Sequence, residues 1–304
     1  TFASVNSVIN CQNKYICRQL QQEVVPECTP RFCLATEYFQ DPESYGTVWV
    51  KPVRSNMTHC GGLIESGEAL EELVGNSTSE VIQYNQYFVD ALSTVHHPMT
   101  ELNLETCNRF LCEEVIGGVQ MTVDGYVFQN DPRIFGITKA VFFPESQSFD
   151  HHEFPYDPGK GMKAKIDDII SRLIPHLGIN NSFFNVELRV DEDSGDVRII
   201  EVNSRIAFQF AKTIQTVRGV DPLHWLCDVA VGEDPAACVE SDDGPYPYCY
   251  NFELREFSDK WVVKAPIQAN IEEIRLSCPD VSVRNMVRDN TRLSDYKHNP
   301  ESYR

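Results

Sequence analysis

The sequence predicts an α+β fold, on three observations. Stretches with helical periodicity and stretches with period-two alternation follow one another in irregular order, which argues against a doubly wound sheet. At 42% hydrophobic and 11% aromatic, 304 residues can bury a substantial core. Residues 183–205, FFNVELRVDEDSGDVRIIEVNSR, read as two apolar strands around a polar turn, with a carboxylate inside each strand.

The elements follow in chain order. Residues 11–24 read as a helix, with Ile16 and Leu20 on one face, Lys14 and Arg18 on another, and Pro26 beyond its end. TVWVKPV (47–53) is a strand stopped by Pro52, and GEALEELV starts a short helix. The stretch 76–109 gives no decisive pattern. VQMTVDGYVF (119–128) alternates Val119, Met121, Val123 with Gln120, Thr122, Asp124, and Asp124-Gly125 reads as a hairpin turn. IFGITKAVFF is a strand. GMKAKIDDIISRLIPHLG is a helix on Met162, Ile166, Ile169 and Leu173, stopped by Gly178 and distorted near Pro175. DPLHWLCDVAVG is a helix with Asp221 as N-cap and Gly232 beyond its end. Residues 246–304 are strand-prone and interrupted by proline.

Twenty-six basic and 45 acidic residues give a net charge of −19, a balance that repels phosphate backbones and argues against general nucleic-acid binding. No apolar run reaches the roughly 18 residues of a membrane span. Eleven cysteines without zinc-type spacing predict reduced thiols and a cytoplasmic protein.

A hairpin centred on Ser194 places Glu187 opposite Glu201 and Asn185 opposite Asn203, all on one face. Two carboxylates facing across a ladder repel, and enclosure makes each unpaired charge costly. A divalent cation answers both problems, because Mg²⁺ takes oxygen ligands from one or two carboxylates and from nucleotide phosphates. Asn203 adds an amide oxygen, and Arg205 lies one step along the same face. An exposed edge hairpin with solvated acids is the plainer alternative, less suited to mirrored acids flanked by Phe, Val and Ile.

NVELRVDEDSGDVRIIEVNSR resembles the metal-binding hairpin of ATP-grasp enzymes, with a Glu on one strand and E-V-N-x-R on the next. Three further stretches are similar to the family in the order it requires: NKYICRQLQQEVVPECTPRF (13–32) for the opening helix, VWVKPV for the strand ending in a nucleotide-binding Lys, and CEEVIGGVQMTVDGYV (112–127) for the hinge around adenine. GITKAVFFPESQSFDHHEFPYD (136–157) resembles the carboxylate–amine ligase branch that joins free amino acids.

The resemblance implies an ATP-grasp fold with two α/β subdomains sandwiching ATP: 1–112 as the first, 113–232 as the second with its metal hairpin, and 233–304 as a small β-rich lobe. The usual N-terminal lobe is absent before the opening helix and is expected on a partner segment or another chain. Lys14, Lys51, Ser55 and Thr58 would contact phosphates, although Met57, His59 and Cys60 make that loop bulkier than the family's small-residue pattern. Glu113, Glu114, Val115 and Ile116 would line the adenine pocket, with Gln120 in place of the ribose-binding acid. Glu187, Glu201 and Asn203 would hold Mg²⁺ or Mn²⁺. Arg205, with Lys51, would stabilise a phosphorylated intermediate, and Glu145 and His152 fall where the branch handles substrate. The implied activity is ADP-forming amide synthesis from a small carboxylate and an amine, without nucleic acid or membrane and with self-association common in the family. The alternative is an inactive ATP-binding module of the same fold. Replacing Glu201 is expected to leave thermal stability unchanged or raised, because a repelling pair is relieved.

Overall fold

A computed structural model describes residues 3–55, 60–236 and 244–296. The chain divides into two compact units, one of residues 1–141 and 152–251, the other of residues 142–151 and 252–304.

The first unit opens with α1 (Val5–Gln12) and α2 (Lys14–Val24). The single helix expected over 11–24 is broken at Asn13, whose extended backbone ends α1 and whose side chain accepts from the Ile16 amide to cap α2. Strand β1 (Phe32–Leu34), the short helices α3 (Ala35–Tyr38) and α4 (Pro42–Tyr45), and strands β2 (Val48–Pro52) and β3 (Gly62–Ile64) follow. Helix α5 (Gly67–Leu92) extends far beyond the short helix read at its start; Leu70, Val81 and Val89 mark its buried face. After α6 (Leu104–Cys107), β4 (Phe110–Glu114) completes an antiparallel sheet of order β1-β4-β2-β3.

The remaining elements are β5 (Val119–Phe128), β6 (Asp131–Phe142), β7 (Phe149–Phe154), α7 (Lys160–His176), β8 (Ser182–Val190), β9 (Val197–Asn203), α8 (Ala211–Arg218), α9 (Pro222–Val231) and β10 (Cys249–Phe252). The larger sheet runs β10-β7-β6-β5-β8-β9.

Asp124-Gly125 lies inside β5, not at a turn: Asp124 pairs with Gly136 and Gly125 with Ile134, and the extra residue of the bulge opposite them is Phe135 on β6. A Cβ on Gly125 would sit 2.1 Å from the Phe184 ring and 2.5 Å from the Arg133 carbonyl oxygen, so only glycine fits. The β5–β6 reversal is made instead by Gln129 and Asn130, both at positive φ.

One face of the larger sheet packs on α1, α2 and α7. Met121, Val123, Val186, Leu188 and Val202 share a core with Ile9, Ile16, Leu20, Ile166, Ile170 and Leu173. Each such side chain contributes about 1.5–3 kcal/mol on burial. α2, expected with the first subdomain, therefore has its apolar face in the core of the larger sheet. A second, aromatic cluster joins Tyr126, Phe135, Phe183, Phe210 and Trp225.

In the second unit, β11 (Trp261–Val262) pairs with β12 (Thr291–Arg292). The longest element of the stretch expected to be β-rich is the ten-residue helix Gln268–Ser277. Contacts of Glu272 with Gln268 and Arg275, at helical spacing, support it, a signal that reading for alternation passes over. Every described cysteine is a free thiol, and no described helix is long and apolar enough to cross a membrane.

Candidate functional site

The opposite face of the larger sheet is aromatic at its Tyr126–Phe183 end and polar along the rest of β5, β8 and β9. Directly paired residues point to the same side, so the registers give two rows across the sheet. One row is Thr138, Thr122, Glu187, Glu201; the next is Gly136, Asp124, Asn185, Asn203. Thr138, Thr122, Asp124, Asn185 and Asn203 are all buried.

The expected pairing of Glu187 with Glu201 is present, but a bulge produces it. Near the turn Leu188 pairs with Ile199; past Ile200 the register shifts, and Glu187 meets Glu201. A regular ladder would continue with Val186 opposite Glu201 and turn that carboxylate into the apolar core. Arg18, buried on α2, pins the bulge: its Nη2 donates to the Ile200 carbonyl at 2.7 Å.

Arg18 also joins a chain of charges linking both sheets. Its Nε donates to Glu113 at 2.5 Å, and the other Glu113 oxygen lies 2.6 Å from Lys51 Nζ. Lys14 Nζ donates to the Ser55 carbonyl at 2.6 Å and lies 3.2 Å from Glu201. Lys14 is placed by the start of α2, where its amide donates to the Val53 carbonyl just past β2.

Burial alone would raise the Glu113 carboxyl, but Arg18 and Lys51 hold it at about 2. Burial pushes Lys51 down, only partly opposed by Glu113. The facing acids divide. Burial and the Glu201 charge lift Glu187 to about 7, whereas Lys14 and Lys51 overcome burial and keep Glu201 below its ordinary value. The hairpin thus carries one carboxylate held in an ion pair and one, Glu187, with no ion pair among the described residues. Replacing Glu201 would remove more than a repulsion, because Lys14 pairs with it and would lose that partner in a buried position; the surplus charge sits on Glu187.

The other expected residues are placed as follows. Ser55 is buried and uses its carbonyl on Lys14, and Thr58 lies outside the described residues. Glu113 does not line an open adenine pocket, because both its oxygens face Arg18 and Lys51. Beside it, Glu114 pairs with Arg198 at 3.2 Å, Val115 is exposed, and the Ile116 carbonyl accepts from Arg189 at 2.7 Å. Gln120 bridges the hinge to the acids, accepting from Arg189 at 3.3 Å and donating to Glu187 at 3.5 Å. Arg205 is exposed, and its charge bears on Asp124, Glu187 and Glu201. His152 is not gathered into this group. It is buried on β7 against Phe210, three strands from β8 and so roughly 14 Å away at the usual strand spacing. Glu145 sits in the exposed turn between β6 and β7 at positive φ.

Sequence reading missed Arg18 as a site residue, although its position four residues after Lys14 was visible. It assigned Asp124 to a hairpin turn, and it placed Asn185 on the polar face without giving it a role. Asp124 is fully enclosed, and burial pushes its carboxyl up to about 7.

No described cluster of three His, Cys, Asp or Glu residues suits a metal. The available donor set is the carboxylates of Glu187 and Glu201 with the amide oxygen of Asn203. It consists of hard oxygens and includes a carboxylate short of a counter-charge, so it fits Mg²⁺ or Mn²⁺.

The ATP-grasp domain family matches residues 78–216. A search of curated proteins gives no match. Among solved structures, L-amino acid ligase from Bacillus licheniformis superposes with a TM-score of 0.64 at 18% identity, covering 89% of this chain and 59% of that one. N5-carboxyaminoimidazole synthase from Aspergillus clavatus, solved with ADP and its aminoimidazole ribonucleotide, gives 0.62 at 11% identity, over 100% of this chain and 68% of that one. Phosphoribosylglycinamide synthetase from Anaerococcus prevotii gives 0.58 at 15%, over 100% and 70%. The chain has the ATP-grasp fold, and it spans 59% of the length of the L-amino acid ligase it resembles.

Proposed function

We propose that this ATP-grasp chain is the catalytic part of an ATP-dependent carboxylate–amine ligase acting on small substrates of the amino-acid class. The observation that carries the reading is the pair Glu187 and Glu201, face to face on a buried polar floor with Lys14 and Lys51 beside them. A fold needs no such arrangement for stability; facing acids in an enclosed site are a liability unless a cation and a polyanion are to be received.

Glu187, Glu201 and Asn203 would hold Mg²⁺ or Mn²⁺, which supplies positive charge to ATP phosphates when bound. Lys14 and Lys51 would exchange part of their present contacts with Glu201 and Glu113 for phosphate oxygens. The hinge at Glu114, Val115 and Ile116 would take adenine, and Gln120 would take a ribose hydroxyl. The substrate carboxylate oxygen attacks the γ-phosphorus, the bond to ADP breaks, and an acyl phosphate forms. The amine nitrogen then attacks the acyl carbon, phosphate leaves, and the nitrogen loses a proton, giving the amide. Arg205, the exposed cation beside the seat, would stabilise the acyl phosphate. The pocket for the carboxylate would be completed by a partner segment or by self-association.

The second reading is a nucleotide-binding module without turnover. It is favoured by the engagement of both lysines with carboxylates of the chain itself. ADP release measured with a panel of amino acids separates the readings. Amine-dependent ADP with an amide detected by mass spectrometry supports the ligase, and nucleotide binding without turnover supports the module. A phosphorylated product formed without any amine dependence contradicts both.

A further inference from the structure

We propose that Asp124 is a positioning residue which fixes, through Asn185, the end of the Asn203 amide that faces the cation seat. The inference rests on the reading that Glu187, Glu201 and Asn203 hold a divalent cation.

The three residues form one cross-strand row on β5, β8 and β9, and all are buried. Asn185 Nδ2 donates to Asp124 Oδ1 at 2.8 Å, and Asn203 Nδ2 donates to Asn185 Oδ1 at 3.4 Å. The first member dictates the direction. Oδ1 of Asp124 accepts whether or not Oδ2 carries a proton. Asn185 must therefore turn its NH₂ toward Asp124, which turns its carbonyl toward Asn203. Asn203 must in turn give its NH₂ to Asn185, and its Oδ1 is left for the cation. Only that end of the amide can ligate a cation; the NH₂ end repels one.

An apolar residue at position 124 would remove this constraint. Both amides could then flip together and still share one hydrogen bond, now from Asn185 to Asn203, with the NH₂ of Asn203 toward the seat. Asp124 abolishes that second state. This accounts for a carboxylate at a strand position only 1% exposed, with its Oδ2 left without a hydrogen-bond partner, where Val would pack at lower cost. The relay is an outer-shell device, coupling a residue that touches no ligand to the polarity of one that does.

The probe is Mn²⁺, titrated into the full chain with a nonhydrolysable ATP analogue and followed by electron paramagnetic resonance, with the protein-free Mn²⁺–analogue complex subtracted. Asp124→Leu should weaken Mn²⁺ binding about 10- to 100-fold. Asp124→Asn can offer Asn185 either its oxygen or its NH₂, so it restores a partner without fixing the direction and should lie between wild type and Asp124→Leu. The background Asn203→Asp isolates the relay, because a carboxylate presents an oxygen in either orientation; there Asp124→Leu should cost nothing. Asn185→Leu breaks the middle link and serves if Asp124→Leu does not fold; it too should weaken binding only while Asn203 is present. Equal losses in both backgrounds, or no loss in either, overturn the relay while leaving the seat intact. Failure of the wild-type chain to bind Mn²⁺ overturns the seat and the relay with it.

Discussion

The two faces of the larger sheet use the same strands and the same registers, one residue out of step, and away from the aromatic Tyr126–Phe183 end they have opposite chemistry. Met121, Val123, Val186, Leu188 and Val202 close a dry core against three helices. Gln120, Thr122, Asp124, Asn185, Glu187, Glu201 and Asn203 line the other side, most of them equally enclosed. The first face stabilises the fold. The second spends stability on groups that are incompletely paired within the chain, and the proposed ligand seat rests on that contrast.

Breaking the clamp that joins the polar face to the smaller sheet should cost most. Glu113→Ala leaves Arg18 and Lys51 buried without their shared carboxylate, and chemical denaturation should show a loss of about 3–5 kcal/mol. On the apolar face, Leu188→Ala, at a fully buried position, should lose about 2–5 kcal/mol. Its neighbour on the polar face should behave oppositely: Glu187→Gln at pH 7.5, without metal, should gain on the order of 1 kcal/mol, because a half-buried charge without an ion pair disappears.

A pH series sharpens the same contrast. Glu187 and Asp124, ordinarily at 4.5 and 3.8, both rise to about 7 on folding. A raised carboxyl binds more protons folded than unfolded, so its stabilisation is complete below about pH 4 and is lost as pH climbs toward 7. Glu113 is depressed to about 2, so its contribution is present above 4.5 and fails only in strong acid. The metal-free chain should therefore melt at lower temperature at pH 7.5 than at pH 5, and Glu187→Gln should flatten the slope. The smallest effect is expected at the rim, where the half-exposed Arg198–Glu114 pair makes Arg198→Ala worth about 0–1 kcal/mol.

Much of this contrast was legible in the sequence. Alternation in 119–128 and the mirrored acids of 183–205 identify the polar face because side-chain direction in a strand is local. The same locality explains the misreadings. Asp-Gly signals a hairpin turn, and only the Phe184 ring over Gly125 and the Asn185 amide on Asp124 reveal a buried strand interior. Glu113 is a clamp rather than an adenine contact because Arg18 and Lys51 reach it from 95 and 62 positions away, a convergence that no local pattern records. The bulge at Ile200 was invisible for the same reason, since the Arg18 side chain that pins it comes from α2. His152 matched a family segment by order, yet strand order places it three strands from the acids.

Isothermal titration of a nonhydrolysable ATP analogue with Mg²⁺, on wild type and Glu187→Gln, tests the central claim most directly, that the polar face is a cation and nucleotide seat. Wild type should bind in a Mg²⁺-dependent manner. Glu187→Gln should lose that dependence while melting at higher temperature in the absence of metal. Equal Mg²⁺-dependent affinity in the two proteins, or no binding by a folded wild type, would contradict it.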